Sequence, residues 1–344
     1  MQLAVLNPGG NDPYQEFGDF AGPVNDRVHA PVNYHAYAAC TGGTFHCKIA
    51  SIPEDQNRVL VLLRRDLKAS LAAVKDLKAM GKTVAISWKE SGLHQVAAQL
   101  DNPKNLCLFK QICVLADGAL SSTPDILPIY LGSGARAAEF LPTPYPVEDP
   151  RWDFSVPMAE RNGVLIGTRE FDVPSRNHLA AILSAVQLNQ PVTVLNQDGR
   201  AGRKRVEAIG GVRLLEGTLS YSEYLRMMAR HRLVFQLDRS GVPGQVAGDA
   251  LLCRMPCIGG DSAVERVAFP ALRGGGARDM RQLLETARGL LANPDQMAQA
   301  VQDSQRAARE SVSFGAISAR LATFFDSLAN NESDRSVESD GSVG

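Results

Sequence analysis

The chain of 344 residues has only six cysteines, and none of them stands in a C-x-x-C pair. That scarcity excludes a disulfide scaffold and a finger-type zinc site, both of which need paired ligands at short spacing. Cys253 and Cys257 bound the stretch "CRMPC", and His46-Cys47 is a second isolated pair. With no further ligand pair nearby, Cys253 and Cys257 read as two small buried thiols in a reduced protein, His46-Cys47 is as weak a signal, and no metal is assigned.

Charge of one sign is lacking too. Lys and Arg number 36 against 37 Asp and Glu, a formal net charge of -1. A nucleic-acid-binding face normally leaves its domain clearly basic, so a polynucleotide partner is excluded. The opening "MQLAVLNPGGNDPY" has no basic leader and breaks into Pro and Gly after a few apolar residues. It is neither a signal peptide nor a membrane span, and no later run is long and apolar enough to cross a bilayer, so a cytoplasmic protein is expected. No G-x-G-x-x-G follows a strand-like run, which excludes the usual dinucleotide fingerprint and with it a pyridine-nucleotide dehydrogenase. There is no Asp-x-Asp metal motif at a strand end and no internal repeat beyond the α/β alternation shared by the two halves.

What is present is length and rhythm. A chain of this size exceeds one hydrophobic core, and two domains are the natural division. In the first half "LAVLN" (3–7), "VLVLL" (59–63), "TVAIS" (83–87) and "ADGALSS" (116–122) are short apolar or small-residue runs. Between the second and third, Leu67, Leu71, Val74 and Leu77 recur at helical spacing and Gly81 sits where a C-cap belongs. Strand, helix, strand over so few residues is a βαβ unit, so the sheet should be parallel. Arg64, Arg65, Lys68, Lys75, Lys78 and Lys82 make that helix basic. This is a solvated face or a weak contact for an anionic lipid or acceptor.

From Pro142 to Pro157 five prolines and no periodicity mark a connector. The alternation then restarts with "GVLIG" (163–167), "VTVLN" (192–196), "VRLLEG" (212–217) and "LVFQL" (233–237), with helical patterns between them. After Gly276 the pattern is helical to about Ala329, and the polar end "NNESDRSVESDGSVG" has nothing to bury. The expected organisation is an α/β protein of two Rossmann-like parallel-sheet domains, 1–150 and 151–330, facing a central cleft, with a disordered tail at 331–344.

Ligands of open parallel sheets bind outside the carboxyl ends of the strands. Glycine lets the backbone approach a phosphate there, and a helix N-terminus adds its dipole. "NPGGND" follows the first strand with Gly9 and Gly10, and "SGVPGQ" ends in Gly244 and Gln245. "RMPCIGG" follows with Gly259 and Gly260. The segment from His231 to Pro270 resembles the nucleotide-sugar site of retaining glycosyltransferases of the two-domain GT-B type, in the large family four group. Gly244 matches the family's turn glycine, "DAL" at Asp249 its "EAM" helix start, and Glu265 its last acid. "VLIGTREF" (164–171) is similar to the strand opening the family's second domain, which puts Arg169 at the donor diphosphate and Arg176 near enough to assist. The resemblance covers most of the chain, best from Ala116 to Pro270.

The resemblance implies a metal-independent hexosyltransferase of glycan biosynthesis that moves a sugar, with retention, from a nucleoside diphosphate sugar to a glycan, lipid-linked or protein acceptor, without a further cofactor. Arg169 and Arg176 would hold the diphosphate, Asp249 the ribose, and Gly9, Gly10, Gly244, Gln245, Gly259, Gly260 and Glu265 would line the donor. A surface or interdomain arginine at 169, and a dipole-stabilised helix acid at 249, are the alternatives. Near the transferred sugar the family often uses an N-domain histidine. His94 and Glu90 in "SWKESGLHQV" and His35 in "NYHAYAAC" are the candidates beside purely structural roles. One departure stands out. The family's first acid, eight positions before Asp249, falls on Gly241; Asp238 or Arg239 would have to substitute. That loss leaves two other readings open, a non-catalytic partner or sugar-binding module and a nucleotide-sugar epimerase.

Overall fold

The computed structural model describes residues 1–18, 29–64, 66–89, 92–167, 173–196, 203–274 and 279–340, with side chains at all of these except 196, 203–205 and 331–340. The chain divides into two compact units, one of 1–22, 31–144 and 314–344, the other of 23–30 and 145–313.

In the first unit the strands are β1 (Ala4–Leu6), β2 (Gln15–Glu16), β3 (Thr44–His46), β4 (Arg58–Leu63), β5 (Thr83–Trp88), β6 (Gly118–Ser121) and β7 (Ala138–Phe140). They form one sheet in the order β2-β3-β1-β4-β5-β6-β7, parallel except for the short edge strand β2. The helices are α1 (Asn33–Ala39), α2 (Leu67–Ala79), α3 (Leu93–Leu100), α4 (Pro103–Leu115) and α5 (Leu127–Gly132). A sheet covered on both faces needs strands apolar throughout, and β4 and β5 are buried along nearly their whole length. Helix α2 shows how local signals set an element. Asp66 caps it by accepting from Lys68 N and Ala69 N at 3.1 Å each, its face Leu67, Leu71, Val74 and Leu77 is buried, and Gly81 leaves it at φ +72°.

The basic surface of α2 is partly structural. Lys78 Nζ donates to both carboxylate oxygens of Asp117 at 2.7 and 2.8 Å, and buried Lys82 donates to the Glu54 carbonyl. Arg65 lies outside the described residues. Among the described residues no helix is long and apolar enough to cross a membrane.

In the second unit β8 (Val164–Ile166), β9 (Val192–Asn196), β10 (Val212–Glu216), β11 (Leu233–Phe235) and β12 (Cys257–Ile258) form a wholly parallel sheet in the order β10-β9-β8-β11-β12. Its helices are α6 (His178–Ala185), α7 (Arg203–Ile209), α8 (Tyr221–Ala229), α9 (Gln245–Leu252), α10 (Ala263–Ala268), α11 (Met280–Ala292) and α12 (Pro294–Ser311).

The helical run after Gly276 does not all stay with this unit. The last helix, α13 (Phe314–Asp340), belongs to the first unit. There Ile317, Leu321, Phe324, Phe325 and Leu328 are buried in the same cluster as Leu3, Phe45 and Leu60. Gly118 has no Cβ where the Leu328 Cδ2 atom would stand 2.8 Å away. A second domain ending at 330 is therefore corrected to one ending at Ser313, because the apolar stripe of α13 completes the other core. Helix α13 also runs on to Asp340, through most of the expected disordered tail; 341–344 lie outside the described residues.

Candidate functional site

A doubly wound sheet opens where its strand order reverses, since the loops on either side of that point lead away from each other. In the second unit the order runs from β8 outward to β10 and then returns to the other side of β8 with β11. The reversal lies between β8 and β11, so the loops after Ile166 and Phe235 flank it.

Two side chains join those loops. Arg176, in the turn Pro174–Arg176, forms an ion pair with Asp238. Asp238 Oδ1 accepts from Ser240 N at 2.8 Å, and Asn177, left-handed at φ 49°, donates to the Leu237 carbonyl at 3.0 Å. His178 beside them is buried, and desolvation lowers its pKa to about 4 despite the pull of Asp238. Arg169, expected at the diphosphate, lies outside the described residues.

The two glycine turns are one structure. Ala263 N donates to the Val242 carbonyl at 2.9 Å and Val264 N to the Pro243 carbonyl at 3.0 Å, tying the loop before α9 to the start of α10. Gly244 caps α9 at φ +96°, and a Cβ there would stand 2.0 Å from Ser262 Oγ. Gly259, at φ +94°, lies against the Gln236 carbonyl, 2.4 Å from where its Cβ would be. A Cβ on Gly260 would be 2.1 Å from the Glu265 carboxylate. Gln245 opens α9, and its carbonyl accepts the Tyr145 hydroxyl at 3.3 Å. Gly241, where the family's first acid would stand, has φ +61°, left-handed backbone that costs a residue with a Cβ about 1–2 kcal/mol.

The two carried-over acids face inward. Asp249 is 1% exposed and its Oδ1 accepts the Tyr221 hydroxyl at 2.5 Å; burial, with the Asp249 charge beside it, pushes the Tyr221 phenol well up, so it stays a donor. Glu265 is wholly buried. It accepts from Ser262 N at 2.8 Å and from Gln236 Nε2 at 2.7 Å. Burial raises its carboxyl above the usual range, and those donors pull it part of the way back. Cys253 and Cys257 turn to different partners, the Leu225 carbonyl and Glu265, and do not act as a pair.

In the first unit the reversal lies between β1 and β4. Gly9 turns at φ +67° with open space around it, while a Cβ on Gly10 would be 2.2 Å from the amide of buried Asn7. Asn7 Nδ2 donates to Asp12 Oδ2 at 2.6 Å, and Lys89, just after β5, reaches the same oxygen at 3.3 Å. Burial works to raise the Asp12 carboxyl, but Lys89 and Asn7 outweigh it and hold it below the usual value. His35 stacks on Phe45 with ring centroids 3.9 Å apart. His94 is exposed in the first turn of α3, and Glu90 lies outside the described residues.

Asp12, Lys89, Tyr221 and Gln236 were not singled out from sequence. Only Gln236 carried a visible signal, a polar residue inside the apolar run "LVFQL".

These two units define the GT-B fold of glycosyltransferases, two Rossmann-like α/β domains in one chain. Sucrose-phosphate synthase from Thermosynechococcus elongatus is similar to it at TM-score 0.60 and 16% identity, over 96% of this chain and 100% of that one. Anabaena HepE in complex with UDP matches at TM-score 0.60 and 11% identity, over 95% and 100%. Trehalose-6-phosphate synthase OtsA matches at TM-score 0.57 and 10% identity, over 81% of this chain and 74% of that one. No protein-family model matches the sequence, and no curated protein matches it.

Proposed function

We propose that this chain is a glycosyltransferase that moves a sugar from a nucleoside diphosphate sugar to an acceptor, with retention, without a bound metal and in the cytoplasm. The observation that carries this is the GT-B fold over 96% of the chain, with a glycine-turn pair beside the strand reversal of the second unit. Solved structures of the same fold hold UDP and UDP-2-fluoro glucose.

In this reading Arg169 and Arg176 hold the diphosphate, since guanidinium forks match phosphate oxygens. The backbone of Gly244-Gln245 and Gly259-Gly260 lies close to the nucleotide, and Asp249 with its partner Tyr221 stands on the ribose side. Glu265 serves through the turn it holds. Gly9 and Gly10 with His94, Glu90 and His35 belong to the acceptor end in the first unit. Fixed positive charge at the leaving phosphate stabilises the transition state, which leaves no need for a strong protein nucleophile.

The test is thermal melting of the protein with UDP, GDP and ADP, repeated with Arg169→Ala. Ligand at a hundred times its Kd adds about 2.7 kcal/mol to stability. A shift with one of the three that the variant loses, followed by transfer from the matching sugar nucleotide, supports the reading; no shift with any of them overturns it. Gly241 favours a second reading, a module that binds the nucleotide without turnover. It predicts a melting shift with neither hydrolysis nor transfer.

A further inference from the structure

Three glycines of the second unit, Gly167, Gly244 and Gly260, each lie against a member of one buried polar chain, and at Gly167 the side chains of Val234 and Val246 close in as well. A Cβ on Gly167, just after β8, would lie 2.6 Å from Gln236 Oε1. The other end of that amide, Gln236 Nε2, donates to Glu265 Oε1 at 2.7 Å. Glu265 Oε2 accepts from Ser262 N at 2.8 Å, and Ser262 Oγ accepts from Glu265 N at 3.4 Å while filling the space beside Gly244. The same carboxylate fills the space beside Gly260. Gln236, Ser262 and Glu265 are 3%, 2% and 0% exposed.

Among the described residues no cation faces Glu265; its neighbours are Gln236, Ser262 and the Cys257 thiol. A buried carboxylate held only by neutral donors is costly unless its geometry is kept. Among the described residues the capping box of Ser220 with Glu223 closes the exposed N-terminus of α8. The box at Ser262 is buried, and its acid also accepts from Gln236, the residue that follows β11.

We propose that Gln236 and Glu265 are positioning residues, a strut that sets the spacing of the Gly167, Gly244 and Gly260 turns and so the shape of the nucleotide site. Its link to nucleotide rests on the function proposed above. The strut works through the turns, and the acid need not touch the ligand.

The experiment compares wild type, Gln236→Glu, Glu265→Gln and the exchange double variant Gln236→Glu/Glu265→Gln. Two readouts are taken, backbone hydrogen exchange of 241–248 and 259–264, and the Kd for UDP. Gln236→Glu sets two carboxylates face to face and is expected to speed exchange in both segments and weaken UDP at least tenfold at pH 8. Lowering the pH to 5.5 lets the pair share a proton and recovers part of that loss. The exchange variant restores an amide-carboxylate pair and should return both readouts to within about threefold of wild type. If Gln236→Glu does not fold, Glu265→Gln against the exchange variant carries the same comparison. Unchanged exchange in the single variants, or no recovery in the double, overturns the strut. If wild type binds none of UDP, GDP and ADP, the donor reading falls by itself, and hydrogen exchange still decides whether the strut holds the turns; if it binds GDP or ADP instead, the Kd is read with that nucleotide.

Discussion

At the residue scale, the site is built from glycines whose reasons differ. Gly244 is both left-handed and packed against Ser262, whereas Gly9 is left-handed in open space. Gly244→Ala is expected to cost about 3 kcal/mol, strain plus clash, and Gly9→Ala about 1 kcal/mol, strain alone. Urea denaturation of the two variants checks that order. His46 offers a pH test. Its ring is buried between Thr44 Oγ1 at 2.7 Å and Ser51 Oγ at 2.9 Å, and desolvation lowers its pKa from 6.5 to about 4. A depressed folded value means that its contribution is intact above the ordinary value and is lost as pH falls from 6.5 to about 4. Between pH 7 and pH 4 wild type should lose up to about 3 kcal/mol more than His46→Gln, read as the difference of their denaturation midpoints. Sequence named the glycines because backbone freedom is a property of the residue itself. It did not name Tyr221 or Gln236, whose roles exist only once α8 faces α9 and β11 faces α10.

At the scale of elements, strands and helices were readable because period and caps are local. The apolar runs at 59–63, 83–87 and 164–166 are strands, and the Asp66 cap and Gly81 exit bound α2. The strand β3, with β7 at the far edge, was not readable, because "TFH" and "AEF" mix polar and apolar residues and form no apolar run. Helix α9 ends on a feature that also escaped sequence. Buried Arg161 donates to the carbonyls of Cys253 at 3.0 Å and Arg254 at 2.9 Å, acceptors at the helix C-terminus, and to that of Val156 at 3.0 Å. Arg161→Ala should destabilise by about 3–5 kcal/mol by leaving them unpaired. Arg161→Lys should recover less than half, because an ammonium cannot reach three carbonyls in the fork geometry. Chemical denaturation of both variants measures it.

At the scale of the molecule, the chain returns to the first unit with α13. Truncation after Ser313 removes five buried apolar side chains, each worth about 1.5–3 kcal/mol, a sum comparable with a domain's whole stability. The truncated protein is expected to be insoluble or to lack the first unit's cooperative melting, while truncation after Asn330 leaves the melting point within about 1 °C; calorimetry distinguishes the two. The sequence by itself determined the two α/β halves and the loops that carry the glycine turns, because hydrophobic period and backbone freedom are written locally. Only the tertiary structure decided which core receives α13 and that Asp249 and Glu265 face inward to Tyr221 and Gln236. It also decided that Gly241 sits in left-handed backbone. An apolar stripe states that a helix must bury a face without stating against what, and a carboxylate's role depends on the donors that folding brings to it.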